Sequence, residues 1–286
     1  LVFLFGPAVV SSSNPIDSLA SSLYDPRIEF QTIASEGFAK LLLHGTIHES
    51  AILEGLLHLY YHPVTESEPK LRQCLAYFFP AFAFSRPANQ SMLASVAIPY
   101  LKAYLSANDS AGTRLSFAEI AGQLAHLTDA TNLVVAESGE VEAHSPHDLM
   151  AMDCLWAMLE DPSIRTKPFL TLLTKIRLES LVKTTVKKLL YLLSQLSKLV
   201  ATDKAIQTGL KKVMSALLEL DDPEVSIPTD ELAKMKTRLA PNVPTELATT
   251  VTIQKPPAAR VKRMAVEDAS ESFSHNVLEE LDDILQ

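Results

Sequence analysis

The chain has 286 residues, of which 47% are hydrophobic, enough to bury a large core in one long domain or two shorter ones. Its eight glycines and two cysteines are few. That scarcity argues against a barrel or a doubly wound sheet, which need glycine turns, and against a secreted disulfide framework. The formal charge of −9 hides a segregation: residues 1–162 carry 7 basic and 18 acidic side chains, residues 163–214 carry 11 and 2, and residues 215–286 carry 7 and 14.

The composition therefore predicts a soluble, intracellular, all-helical chain. The opening Leu1–Val10 is apolar, but it has no preceding positive charge and is interrupted at Gly6-Pro7, so it reads as neither a signal peptide nor a membrane span. Residues 1–18 are expected to be a truncated segment belonging to a helix cut short. Pro26 opens a helix that stops at His44-Gly45, and Thr46 is expected to cap the next, which ends before Pro63. Thr65 with Glu68 has the spacing of a capping box, and Pro69 opens a phenylalanine-rich helix in which Pro80 predicts a kink or a break. Further helices are expected at Gln90–Ser106, Ser116–Leu127, Pro146–Glu160, Lys167–Arg177, Leu178–Ala201 and Asp203–Leu220.

The stretch Leu71–Gln90, LRQCLAYFFPAFAFSRPANQ, is apolar almost all round a helix. Leu71, Cys74, Leu75, Phe78, Phe79 and Phe82 repeat at three- and four-residue steps, and Tyr77 and Phe84 widen the face. Such a helix needs cover on both sides, which a stack of helical hairpins provides. With ASEGFAKLLLHG (Ala34–Gly45) and Leu59–Ala83, this stretch resembles the C-terminal region of the HEAT-repeat, G-type subunits of condensin, the condensin complex subunit 3 family. Weaker echoes lie at His147–Asp161 and Asp203–Leu220, so the resemblance runs from about Leu19 to Asp222.

The resemblance implies an all-α, HEAT-type α-solenoid over residues 19–222. It implies a non-enzymatic scaffold without cofactors, membrane or small-molecule substrate, bound to the kleisin subunit and through it to the SMC ATPase subunits. It also implies sequence-independent binding of double-stranded DNA in mitotic chromosome condensation, in the nucleus and on mitotic chromosomes, with the cytoplasm as an interphase location. In the family much of the DNA-binding and kleisin-clasping surface lies in the N-terminal and central repeats, outside this stretch. A nuclear-transport or adaptor HEAT solenoid that binds only protein partners is the alternative.

In the electropositive block, Lys183, Lys187, Lys188, Lys198, Lys211 and Lys212 are candidate phosphate contacts on successive helix faces. The competing reading is that they solvate a helix whose Leu181, Val182, Val186, Leu189, Leu190, Leu193 and Leu196 point inward. Without interleaved aromatics, any DNA contact there is expected to ignore sequence. His44 with His48 and His58 with His62 have i, i+4 spacing, but a glycine stop and a proline interrupt them and no cysteine or general-base motif accompanies them, so metal binding is not expected. Cys74 and Cys154 read as buried thiols. After Asp222, prolines punctuate a polar stretch expected to be a disordered tail over 223–286, with short helices near 229–239 and 276–285 and a basic cluster from Lys255 to Arg263. Val277, Leu278, Leu281, Ile284 and Leu285 form an apolar stripe beside Glu279, Glu280, Asp282 and Asp283, a candidate docking segment for a partner or for the chain's own helices.

Overall fold

A computed structural model describes residues 15–107, 115–134, 145–161, 166–178, 181–200 and 203–241. Among the described residues the secondary structure is helical, with no strand. Two compact units are distinguished, one reaching Cys154 and including 164–182, the other comprising 155–163 and the chain from Lys183.

In the first unit, α1 (Pro15–Ala20) leads through a short 3₁₀ turn into α2 (Ile28–Leu43), followed by α3 (Ser50–Tyr61), α4 (Pro69–Ala83), α5 (Pro87–Ala107), α6 (Phe117–Leu127), the first part of α7 (Pro146–Glu160) and α8 (Thr166–Leu173). The packing skips a neighbour: α2 lies on α4, α3 on α5, and α6 on α8, while α5 also meets α4 and α6. An apolar helix in such a stack is covered from both sides. Phe78, Phe79 and Phe82 of α4 are 3%, 1% and 1% exposed, with ring centroids 5.1 Å apart for Phe78 and Phe79 and 5.3 Å for Phe78 and Phe82. The expected burial of this face is therefore observed.

Local chemistry explains where the helices stop. Gly45 sits at φ +67°, and the N–H groups of Gly45 and Thr46 reach back to the Leu42 and Leu41 carbonyls, the closure that a residue in the left-handed region permits. Between α4 and α5, the Asn89 amide donates to the Phe82 carbonyl and to Ser85 Oγ. Buried Gln90 donates to the Leu127 and Asp129 carbonyls and so ties α5 to the end of α6. Ser116 and Glu119 form a reciprocal capping box at the start of α6. At α7 the Ser145 N–H and hydroxyl both donate to Asp148 Oδ2 at 2.7 Å, while Asp148 Oδ1 accepts from the Val182 N–H. Buried His147 accepts from the Arg177 N–H at Nδ1, so its Nε2–H donates to the Ala125 carbonyl, joining α6, α7 and the segment after α8.

Four local expectations are corrected. Tyr77 is 72% exposed, because it lies about 140° round the helix from Phe82 at about 100° per residue and outside the covered arc. The break allowed for at Pro80 is absent: helix α4 continues through it to Ala83, its end closed by the Phe84 N–H on the Pro80 carbonyl. Thr65 makes no capping box; its hydroxyl is drawn back to the Leu59 and His62 carbonyls, and α4 starts at Pro69. Helix α3 begins at Ser50, beyond the reach of Thr46. Cys154 is fully buried with its S–H toward the Phe169 carbonyl, whereas Cys74 is only half-buried, and burial raises both thiol pKa values.

The second unit holds the end of α7 with α9 (Lys183–Leu199), α10 (Lys204–Leu218) and α11 (Thr229–Leu239). Helix α9 packs on α10. Met235 and Leu239 of α11 are buried, and the Arg238 guanidinium lies 4.0 Å from the Trp156 ring centre while bonded to Glu160. Helix α11, expected as an island in a tail, thus contributes to the core of this unit.

Candidate nucleic-acid interface

Helix α9 is apolar on more than its predicted stripe. Val186, Leu189, Leu190, Leu193 and Leu196 are buried, and so are Thr185, Tyr191, Leu192 and Ser194. Two of its lysines, Lys187 and Lys188, are therefore drawn into the packing, whereas Lys183 and Lys198 are exposed. Lys187 is 2% exposed, and its Nζ lies 2.9 Å from Asp221 Oδ2. Lys183 donates to the Leu220 carbonyl at 2.8 Å, and Lys188 pairs with Glu231. These three lysines fasten the segment after α10, and the start of α11, onto α9.

Lys187 leaves the set of candidate phosphate contacts, because an ammonium turned inward onto a buried carboxylate cannot also reach a polyanion at the surface. The stripe arithmetic could not show this, since cover by the 220–231 segment is a tertiary fact. Lys188 is partly buried on Glu231, whereas Lys183, exposed although bonded to the Leu220 carbonyl, stays among the candidates.

Lys198, Lys211 and Lys212 are exposed, as Lys183 is. Lys198 stands in the last turn of α9. Helix α10 is started by Asp203, whose carboxylate accepts from the Ala205 and Ile206 N–H groups, and Gln207 ties it to the α9 terminus by donating to the Ser197 carbonyl at 2.8 Å. Leu210, Val213, Met214 and Leu217 turn inward. Lys204, Ala205, Thr208, Lys211, Lys212 and Ser215 are left outside, and no acidic residue lies between Lys204 and Leu218. The periodicity that buries four apolar residues thus gathers Lys204, Lys211 and Lys212 on one face. Lys204 belongs with the earlier candidates, and its i, i+7, i+8 spacing to the other two was the signal in the sequence.

Such a face offers mobile point charges without planar stacking groups, which suits phosphate rather than base edges. Among the described residues no three histidine, cysteine or carboxylate side chains come close enough to hold a metal ion. His58 instead lies edge-on to the Tyr100 ring at 4.9 Å. No described helix is long and apolar enough to cross a membrane. In the first unit, Phe30 and Ile33 of α2 and Tyr77 of α4 are exposed apolar side chains. The residues proposed as a docking segment, Val277, Leu278, Leu281, Ile284 and Leu285, lie outside the described residues, as does the Lys255–Arg263 cluster.

Helices that stack two places along the chain define an all-α scaffold of the HEAT type. The chain belongs to the family described as nuclear condensing complex subunits, C-terminal domain, whose model matches residues 4–178. It is 31% identical over 209 residues to the human condensin complex subunit 3, covering 71% of this chain and 20% of that protein. It is 34% identical over 156 residues to the Xenopus laevis subunit, covering 52% and 15%. The crystal structure of the S. pombe condensin Cnd3–Cnd2 subcomplex matches with a TM-score of 0.65 at 26% identity, over 72% of this chain and 28% of that one. The chain thus spans about a fifth or less of the length of these curated relatives. The family match stops at residue 178, before α9 begins.

Proposed function

We propose that this chain is a non-enzymatic part of a condensin scaffold subunit, one that holds the kleisin subunit and, through it, the SMC ATPases, and that adds sequence-independent phosphate contacts from its second unit. Family membership and the likeness to a subunit crystallised with Cnd2 support the scaffold and kleisin roles. The observation that carries the DNA role is the exposed face of α10, where Lys204, Lys211 and Lys212 stand without an acidic residue between Lys204 and Leu218. Lys198 at the end of α9 is a further candidate contact. A nuclear and mitotic-chromosome location follows from the same reading.

The test is duplex binding as a function of salt. The variant K198E/K211E/K212E should weaken binding equally for unrelated duplex sequences and flatten the slope of log affinity against log salt by about 0.9 per lost contact. Capture of the kleisin subunit should be unchanged. If the variant keeps both affinity and slope while still capturing kleisin, the phosphate role fails and the chain is a protein-binding scaffold only. Loss of kleisin capture by the unmodified chain defeats the scaffold reading.

A further inference from the structure

The outer face of α10 has a second property besides charge. Ala205, Gly209 and Ala216 follow one another at helical steps along its edge, with Ala205 exposed and the other two partly so, while Thr208, Lys212 and Ser215 run beside them and Lys204 and Lys211 border the far side. Small side chains let the axis of a second helix come close, and adjacent ammonium groups favour an acidic one. Leu199, 37% exposed at the end of α9, adds an apolar side chain next to the start of α10.

The sequence of this chain holds a segment of matching character. Residues 264–286 carry seven acidic side chains and no lysine or arginine. On a helical projection Val277, Leu278, Leu281, Ile284 and Leu285 cover one arc, Glu280 and Asp282 border it on either side, and Glu279 and Asp283 lie behind. A helix over 277–285 spans about 13 Å, shorter than α10, so it fits along the strip. Thirty-five residues separate Pro241 from Val277, and coil statistics give a segment of that length a span of about 30–35 Å. That tether sets an effective concentration of order millimolar on a face of the same unit.

We infer that the acidic segment 277–285 docks on the outer face of α10, its apolar stripe on Ala205, Gly209 and Ala216 and its carboxylates over Lys204, Lys211 and Lys212, and that it competes there with polyanions. The consequence for DNA rests on the phosphate role proposed above; the docking does not. When the segment is seated, the lysines face carboxylates, and duplex must displace them. The apparent affinity for duplex is then reduced by the fraction of molecules whose face is open.

The experiment places a photo-crosslinking residue at Gln286 of the full chain, which leaves the stripe intact. Crosslinks within one molecule to residues 204–218 are expected. They should vanish in K204E/K211E/K212E and return when that variant also carries E279K/E280K/D282K/D283K, a rescue that loss of folding would not give. In the otherwise unmodified chain, E279Q/E280Q/D282N/D283N should tighten duplex binding about tenfold, the factor expected if about nine-tenths of molecules are docked. Crosslinks elsewhere, crosslinks between two copies, or crosslinks indifferent to the charge reversal overturn the docking. Charge-sensitive crosslinks on α10 with unchanged duplex affinity uphold the docking and overturn the phosphate role instead.

Discussion

Replacing Asp221 with alanine isolates the buried charge of the second unit. The side chain of Lys187 is 2% exposed and that of Asp221 10%, with 2.9 Å between Nζ and Oδ2. The other carboxylate oxygen, Oδ1, is buried without a hydrogen-bond partner, so Asp221 depends on this lysine. At an effective dielectric of about 20, the direct attraction at that separation is roughly 6 kcal/mol, most of which offsets the desolvation of the two ions. Removing only Asp221 abolishes the attraction and leaves the desolvation of Lys187, a net cost of about 3–5 kcal/mol. The double variant K187M/D221L replaces both ions with apolar groups and should stay within about 1 kcal/mol of the parent. Urea unfolding of the full chain followed by circular dichroism reads both numbers. If D221A costs under about 1 kcal/mol, Lys187 finds other solvation in the folded state, its removal from the phosphate-contact set loses its basis, and the clamp of α9 on the 220–231 segment is not energetic.

Two further outcomes are expected. Phe82→Ala should cost about 3–5 kcal/mol by opening a cavity in the covered face of α4, whereas Tyr77→Ala on the exposed side should stay within about 0.5 kcal/mol; equal costs in denaturant titration would contradict the assignment of the two faces. Burial beside Tyr100 holds the pKa of His58 below its ordinary value, with Glu54 opposing and His62 adding to the shift. The unfolded chain then takes up the proton first as pH falls through about 6.5, so the stability contributed by neutral His58 is present above that pH and is lost below it. The melting temperature of His58→Gln should therefore fall less between pH 7 and pH 5 than that of the parent, and parallel curves would refute the assignment.

How much of this was legible in the sequence depended on whether a signal was local. The three- and four-residue repeat of Phe78, Phe79 and Phe82, the glycine stop at Gly45 and the bounds of α7 and α11 are local, and they were read correctly. Thr65 was misjudged because two capping geometries compete for one hydroxyl, and the backward one to Leu59 and His62 wins. Tyr77 was placed on the buried face because an aromatic ring suggests burial more loudly than its angle denies it. Lys187 could not be placed from α9 alone, since its acceptor lies 34 residues further on in Asp221. For the candidate interface, the charge segregation pointed to α9 and α10, yet it did not separate a lysine buried in the packing, Lys187, from lysines left exposed, a distinction that only packing makes. Lys204 was passed over although it is in register with Lys211 and Lys212.

The skipped-neighbour packing of the first unit also governs how this chain is born. Helix α2 ends at Leu43 and its partner α4 at Ala83, so roughly 40 residues must follow α2 out of the ribosome before its inner face finds cover, a wait of about 2–8 s at about 5–20 residues per second. Helix α3 waits in the same way for α5. Each contact then closes a short loop at small entropic cost, and structure can spread along the chain without any distant segment having to arrive. The vulnerable interval belongs to α4, whose phenylalanine face has α2 on one side at once but lacks α5 until the chain has lengthened past Ala107. Folding helpers that bind exposed aromatic segments have their clearest substrate in this nascent intermediate, at Leu71–Ala83.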